Sequence, residues 1–187
     1  MNDLKKVRGK TILGIVGEIG AGKTTATDYL KKKYGAVSFR FSDMLRDIAD
    51  RMYIEKNRQN LQTLSTILRQ NFSEDIMSKV IAKDVEQSDA RFLITEGIRR
   101  PSDIAYLKQM SGFHLIAVEA DSRLRFERLT HRSENPDDQK KTWEEFQKEA
   151  EQESEQKVHE IAQEAGVTID NNGSLEQLFQ QIDDVVA

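Results

Sequence analysis

With 187 residues the chain is long enough for one sizeable hydrophobic core and too short for a second large domain beside it. Charged residues make up 32% of it, yet the net charge is only -4, so no basic face or acidic tail dominates and nucleic acid is not an expected partner. The absence of cysteine excludes disulfides, thiolate metal sites and cysteine nucleophiles, and His114, His131 and His159 lack the short spacing of a histidine metal site.

In chain order, the basic start MNDLKKVRGK leads into TILGIVG, an arrangement that imitates a signal peptide until Glu18 and Lys23 cut the apolar run short. No stretch of about 18 apolar residues follows, so the reading is a soluble, cytoplasmic protein with no membrane partner. Short apolar runs rich in β-branched residues recur at Thr11 to Val16, Ala36 to Phe41, Arg91 to Thr95, Leu115 to Ala120 and Val167 to Asp170. They are nearly continuous rather than alternating, as expected of parallel strands covered on both faces.

Between the runs lie helical spacings: Met44, Leu45, Ile48, Ala49 and Met52; then Leu61, Leu64 and Leu68; then Ile76, Met77, Val80 and Ile81. The alternation predicts an α/β fold with a five-stranded parallel sheet between helical layers. A closing helix is signalled by Ser174 and Gln177 at capping-box spacing and by the stripe Leu175, Leu178, Ile182 and Val185. The charged segment from Thr130 to Lys157 reads either as a solvated helix or as a moving lid.

Directly after the first run, GEIGAGKT fits G-x-x-x-x-G-K-[ST], with Gly17, Gly22, Lys23 and Thr24 at the fixed positions. Glycines let backbone N–H groups curl around an anion, and a helix starting near Gly22 aims its positive dipole end at the same point. Gly20, Ala21 and Thr25 complete the candidate phosphate-binding set, Lys23 reaches the β- and γ-phosphates, and the Thr24 hydroxyl ligates Mg²⁺. The expected ligand is a nucleoside triphosphate, ATP with Mg²⁺. The spacing does not fit the dinucleotide fingerprint, which disfavours a nicotinamide cofactor.

Two further clusters follow strand ends. In FSDMLRDIADRM, Ser42 is the expected N-cap and Arg46 falls on the polar side, where an intrahelical pair with Asp43 or Asp50 competes with a ligand role. In TEGIRRPSD, Glu96 ends a buried strand at the edge where open α/β sheets bind ligands, Gly97 permits a sharp exit, and Pro101 can start a helix. Arg99 and Arg100 between them are candidate phosphate-binding forks.

These segments resemble the adenylate kinases and related P-loop nucleoside monophosphate kinases. FSDMLR is similar to their TGDMLR and TEGIRRP to their DGFPR; DSRLRFERLTHR resembles the helix leading into their lid. VTIDNNGSLEQLFQQI looks like the closing strand and helix that they share with dephospho-coenzyme A kinases. The resemblance covers most of the chain and implies the three-layer α/β/α P-loop NTPase fold, sheet order 2-3-1-4-5, with a small helical lid. Residues 1–187 are then one kinase domain, with an acceptor region at 42–90 and a lid-like segment at 130–165.

The resemblance also implies roles. Arg46 and Arg100 hold the acceptor monophosphate, Arg128 and Arg132 lie against the donor nucleotide, and Glu96 orders water around Mg²⁺. NRQNLQTLSTILRQNF looks like the acceptor region of phage-type deoxynucleoside monophosphate kinases, making Arg69 either a phosphate ligand or a solvent-facing arginine; Asp43 is a candidate positioning group. Phe41 replaces the family's threonine, Ile104 stands where a glutamine reads adenine, and Thr142 to Gly166 carries only Lys148 and Lys157 where closing arginines are usual. The implied activity is Mg-ATP-dependent phosphoryl transfer to a nucleoside or deoxynucleoside monophosphate; the alternatives are a dephospho-coenzyme A kinase and an ATP-dependent binding module or slow ATPase.

Overall fold

The computed structural model describes residues 9–131, 139, 141–151 and 153–186. Five strands, β1 (Thr11–Val16), β2 (Val37–Arg40), β3 (Phe92–Glu96), β4 (Phe113–Glu119) and β5 (Val167–Asp170), form one parallel sheet in the order β2-β3-β1-β4-β5, with helices on both faces. The helices are α1 (Lys23–Tyr34), α2 (Phe41–Arg51), α3 (Arg58–Asn71), α4 (Ile76–Gln87), α5 (Ser122–Thr130), α6 (Trp143–Ala150), α7 (Glu153–Gln163) and α8 (Leu175–Val186). The middle residues of β1, β3 and β4 are buried one after another, so both faces are covered there and the runs are continuously apolar rather than alternating.

The chain divides into two compact units, residues 9–14 with 36–114 and residues 15–35 with 115–186. In the first, β3 pairs with β1 from Thr11↔Phe92 to Gly14↔Thr95 and with β2 from Val37↔Leu93 to Arg40↔Glu96. Ile12, Leu93, Ile94, Ile81, Val85, Ile104 and Leu107 are buried there, each worth about 1.5–3 kcal/mol relative to exposure. The Lys10 ammonium donates to the carbonyls of Val85, Glu86 and Ser88, where α4 ends and its dipole favours a cation.

In the second unit β4 pairs with β5 from Ile116↔Val167 to Glu119↔Asp170, and α8 packs on β5 and α1. Tyr29 of α1 stacks on Phe179 of α8 with ring centroids 4.0 Å apart, and the hydroxyls of Tyr29 and Tyr34 and the Lys33 ammonium all donate to Asp183. Those bonds, Lys33 first, hold the Asp183 carboxyl below its usual range.

Several local expectations need correction. Ser42 does not cap α2; the helix starts at Phe41 with no side-chain cap, because burial of the Phe41 ring turns the chain into the helix as soon as β2 ends. The expected pair of Arg46 with Asp43 or Asp50 does not form among the described residues, and Asp50 instead meets Lys56 at 2.8 Å. At the closing helix the Ser174–Gln177 box is made, with bonds of 2.8 and 3.4 Å, but Leu175 is exposed and only Leu178 and Ile182 are fully buried. Within the described part of the charged segment, α6, capped by Thr142 and Glu145, buries Phe146 while its other residues stay exposed or half-buried, and α7 buries Val158, Ile161 and Ala162 just beyond the segment's end. Apolar residues at helical spacing outweigh the charged majority around them.

Candidate active site

The loop between β1 and α1 is built on positive φ angles. Gly20 has φ 79° and Gly22, the N-cap of α1, has φ 102°; both lie in the left-handed region that disfavours other residues. Space forbids a side chain as well, since a Cβ on Gly20 would sit 2.5 Å from the carbonyl oxygen of Arg125 and one on Gly22 would strike the Asn171 amide. Because Gly22 offers no side-chain acceptor, the first-turn N–H groups of α1 keep their capacity for an anion. Lys23 donates its ammonium back across the loop to the carbonyls of Gly17, at 2.6 Å, and Glu18, at 2.9 Å. Thr24 is exposed and Thr25 half-buried on the same turn, and Ala21 is buried.

Gly20→Ala follows as a prediction: the strained φ and the backbone clash should weaken triphosphate binding at least about tenfold while the rest of the fold persists. Calorimetric titration with Mg-ATP checks it; wild-type affinity would mean the loop is not the cradle.

Two residues that the sequence did not single out, Arg125 and Asn171, hold this loop, and Arg128, expected beside the donor nucleotide, braces Asn171. Arg125 of α5 is buried; its guanidinium pairs with Glu18 at 3.0 Å and donates to the carbonyls of Ile19, at 3.2 Å, and Ala120, at 3.1 Å. Asn171, just after β5, donates its side-chain amide to the Ala21 carbonyl at 2.8 Å and its backbone N–H to Glu119. Arg128 gives one guanidinium nitrogen to the Asn171 carbonyl at 2.9 Å, and its Nη1 is buried without a hydrogen-bond partner among the described residues. A buried donor of that kind favours an anionic or acceptor-bearing ligand. Arg132, the other arginine expected beside the donor, lies outside the described residues.

In the first unit, Glu96 at the end of β3 is buried and accepts from the Ser38 hydroxyl and, at 3.3 Å, from Arg40. Gly97 then turns the chain with φ 82°, and Pro101 opens a 3₁₀ turn, Pro101–Ile104. The organiser of this stretch is Asp103, buried, whose Oδ2 accepts the backbone N–H of Arg99 at 2.9 Å and of Arg100 at 3.0 Å. The other oxygen of Asp103 pairs with Arg69 at 2.6 Å.

Arg69 is therefore not solvent-facing. Its guanidinium also donates to Ser65, Ser102 and the Glu74 carbonyl, so four of its five N–H donors join α3 to the Arg99–Arg100 turn and its surroundings. Arg100 is exposed and pairs with Glu74 at 2.9 Å. Burial pushes the Glu74 carboxyl up, but the Arg100 hydrogen bond and the Arg69 charge outweigh it and hold the group below its usual range. Arg99, Arg46 and Asp43 are exposed, the last two on α2, while Ile104 is fully buried, so its side chain is core.

The structure thus gathers Gly17 to Thr25 with Arg128 in one unit, and Arg69, Arg99 and Arg100 around Asp103 in the other. A family profile described as AAA domain (AAA_17) matches residues 16–147. A UPF0200 protein of Methanocaldococcus jannaschii is 27% identical over 94% of this chain and 88% of its own length. Another, from Methanococcus maripaludis strain C6, is 26% identical over 94% of this chain and 99% of its own.

Among solved structures, shikimate kinase from Bacteroides thetaiotaomicron superposes with a TM-score of 0.63 at 14% identity, covering 94% of this chain and 96% of that one. TT1252 from Thermus thermophilus gives 0.60 at 17%, covering 96% and 97%. At these identities the likeness speaks for the fold alone, a parallel sheet in the order β2-β3-β1-β4-β5 between helices, of the P-loop type. The family match runs from the end of β1 into α6, through the glycine loop and strands β2, β3 and β4, and by it the chain belongs to the AAA domain family.

Proposed function

We propose that this protein transfers the terminal phosphoryl group of ATP to a nucleoside or deoxynucleoside monophosphate. The observation that carries the reading is the loop from Gly17 to Thr24, where two left-handed glycines, an uncapped helix start and the Lys23 ammonium converge. Support for an acceptor comes from the turn built on Asp103, which presents the exposed Arg99 and Arg100 from a braced backbone.

The residues fit the ligands. Mg²⁺ keeps most of its waters and takes one or two protein oxygens beside the phosphates, so the Thr24 hydroxyl suffices as a direct ligand and Glu96 as a group that orders metal-bound water. Among the described residues no cluster of three or more His, Asp or Glu side chains gathers into a dedicated cage, and this mode needs none. When bound, Mg²⁺ draws charge from the phosphate oxygens.

The chain's own task is alignment and positive charge. Lys23 leaves the carbonyls of Gly17 and Glu18 for the β- and γ-phosphate oxygens, the loop amides donate to the remaining anionic oxygens, and Arg128 supplies its buried free donor to the donor nucleotide. Arg46, Arg99 and Arg100 hold the acceptor phosphate, whose oxygen forms the new bond to phosphorus as the bond to the ADP oxygen breaks. That oxygen is already anionic, so no strong base is needed, and Asp43 serves to position it.

The test is a panel of nucleoside and deoxynucleoside monophosphates, with dephospho-coenzyme A and shikimate beside them, incubated with Mg-ATP and read by product mass. ADP and a nucleoside diphosphate in equal amounts are expected for at least one monophosphate. ADP formation that ignores every acceptor would favour a slow ATPase, and phosphorylation of dephospho-coenzyme A alone would move the acceptor to that class.

A further inference from the structure

The glycine loop contains a carboxylate, Glu18, where an anionic ligand is to bind. Left alone, that charge would oppose a triphosphate. It is not left alone: Arg125 meets it at 3.0 Å with a side chain only 6% exposed, against 31% for Glu18. The remaining arginine nitrogens are spent on the carbonyls of Ile19 and Ala120, so the fork is fixed on three sides, in a way a lysine could not reproduce. The Arg125 guanidinium also lies 5.4 Å from the centre of the Phe146 ring in α6. Phe146 stacks on Trp143 at 5.6 Å, and Phe126 packs against both.

From this geometry we infer that Arg125 is a positioning residue which neutralises Glu18 and latches the phosphate loop to the aromatic cluster of α6, so that nucleotide binding at the loop is felt at Trp143. The inference rests on reading the loop as a nucleotide site. Two sequence-distant contacts make one continuous path, from Glu18 through Arg125 and Phe146 to Trp143, all within residues 15–35 and 115–186. Trp143 is the sole tryptophan, so its emission reports on the far end of that path alone.

The test is a charge cycle on the full chain, with Mg-ADP affinity read by calorimetry. Arg125→Gln should weaken binding about tenfold, toward the low end of usual couplings between sites. The double substitution of Arg125→Gln with Glu18→Gln should recover to within about threefold of Glu18→Gln alone, because the opposing carboxylate is gone. A role in packing alone would leave the double variant as weak as Arg125→Gln, and that result would overturn the inference, as would wild-type affinity in Arg125→Gln.

Should Arg125→Gln fail to fold, Trp143 emission decides. Mg-ADP should shift it in wild type, and Phe146→Leu, which removes the ring linking Arg125 to Trp143, should cut the shift by at least about half. An emission change of equal size in both proteins, or none in a wild type that binds nucleotide, would overturn the latch while leaving the loop reading intact. No heat of binding in wild type would overturn the loop reading and the latch with it.

Discussion

Lys23→Ala is expected to lower turnover about a thousandfold with Mg-ATP and acceptor both saturating, while the protein stays folded. Removing one preorganised charge donor from a reacting centre typically costs a factor of about 10² to 10³, and here the lysine is the cation that the loop holds at the carbonyls of Gly17 and Glu18. The same residue does little for the fold. Its bonds to the carbonyls of Gly17 and Glu18 are each worth about 0.5–1.5 kcal/mol net, a small part of the roughly 5–15 kcal/mol that keeps a domain folded. The measurement is kcat beside a thermal melt. Turnover within tenfold of wild type would remove Lys23 from the reaction, and a collapsed melt would show that its role is structural.

Arg69→Met should do the opposite, destabilising the protein severely. The Arg69–Asp103 pair is buried on both sides, 6% and 3% exposed, at 2.6 Å. Removing the cation leaves the Asp103 carboxylate in the interior with only the two amides of Arg99 and Arg100, and breaking a buried pair in this way costs about 3–5 kcal/mol. For a chain of this size the melting temperature should fall by about 10 °C. The double variant Arg69→Met with Asp103→Leu should regain part of that loss, because neither charge is then buried alone. Urea unfolding measures both; a loss below about 1 kcal/mol for Arg69→Met would show that water reaches the pair.

The two substitutions separate what kind of arginine or lysine each unit contains. Lys23 is held by backbone carbonyls that can be exchanged for phosphate oxygens. Four of the five N–H donors of Arg69 are held by a carboxylate, two hydroxyls and a carbonyl, partners that folding brings to a buried side chain. Spacing along α3 could not distinguish these fates, because Asp103 lies 34 residues further on.

The residues that brace the loop were illegible for the same reason. Arg125 stands in a helix rich in arginine, and nothing local marks it off from Arg123, whose guanidinium instead covers the exposed side of the cluster 4.8 Å from the Trp143 ring. Asn171 reads as one of two adjacent asparagines in a turn, yet its amide closes on Ala21 across 150 residues of sequence. Only Gly20 and Gly22 carried a trace of these neighbours, since glycines that tolerate no Cβ imply something packed close against them.

By itself the sequence determined the parallel α/β architecture, the strand runs, the position of the phosphate loop and the capping of the closing helix. Each of these is a local matter, of backbone conformation, burial on both faces, or a hydrogen bond three residues long. The tertiary structure alone decided which charges are buried and which lie at the surface: Arg69 and Arg125 became braces, Arg46 and Arg99 stayed exposed, and the charged segment gained a buried Phe146. Those outcomes depend on groups brought together by folding from distant parts of the chain, and pairing energies between such groups leave no periodicity in the sequence to read.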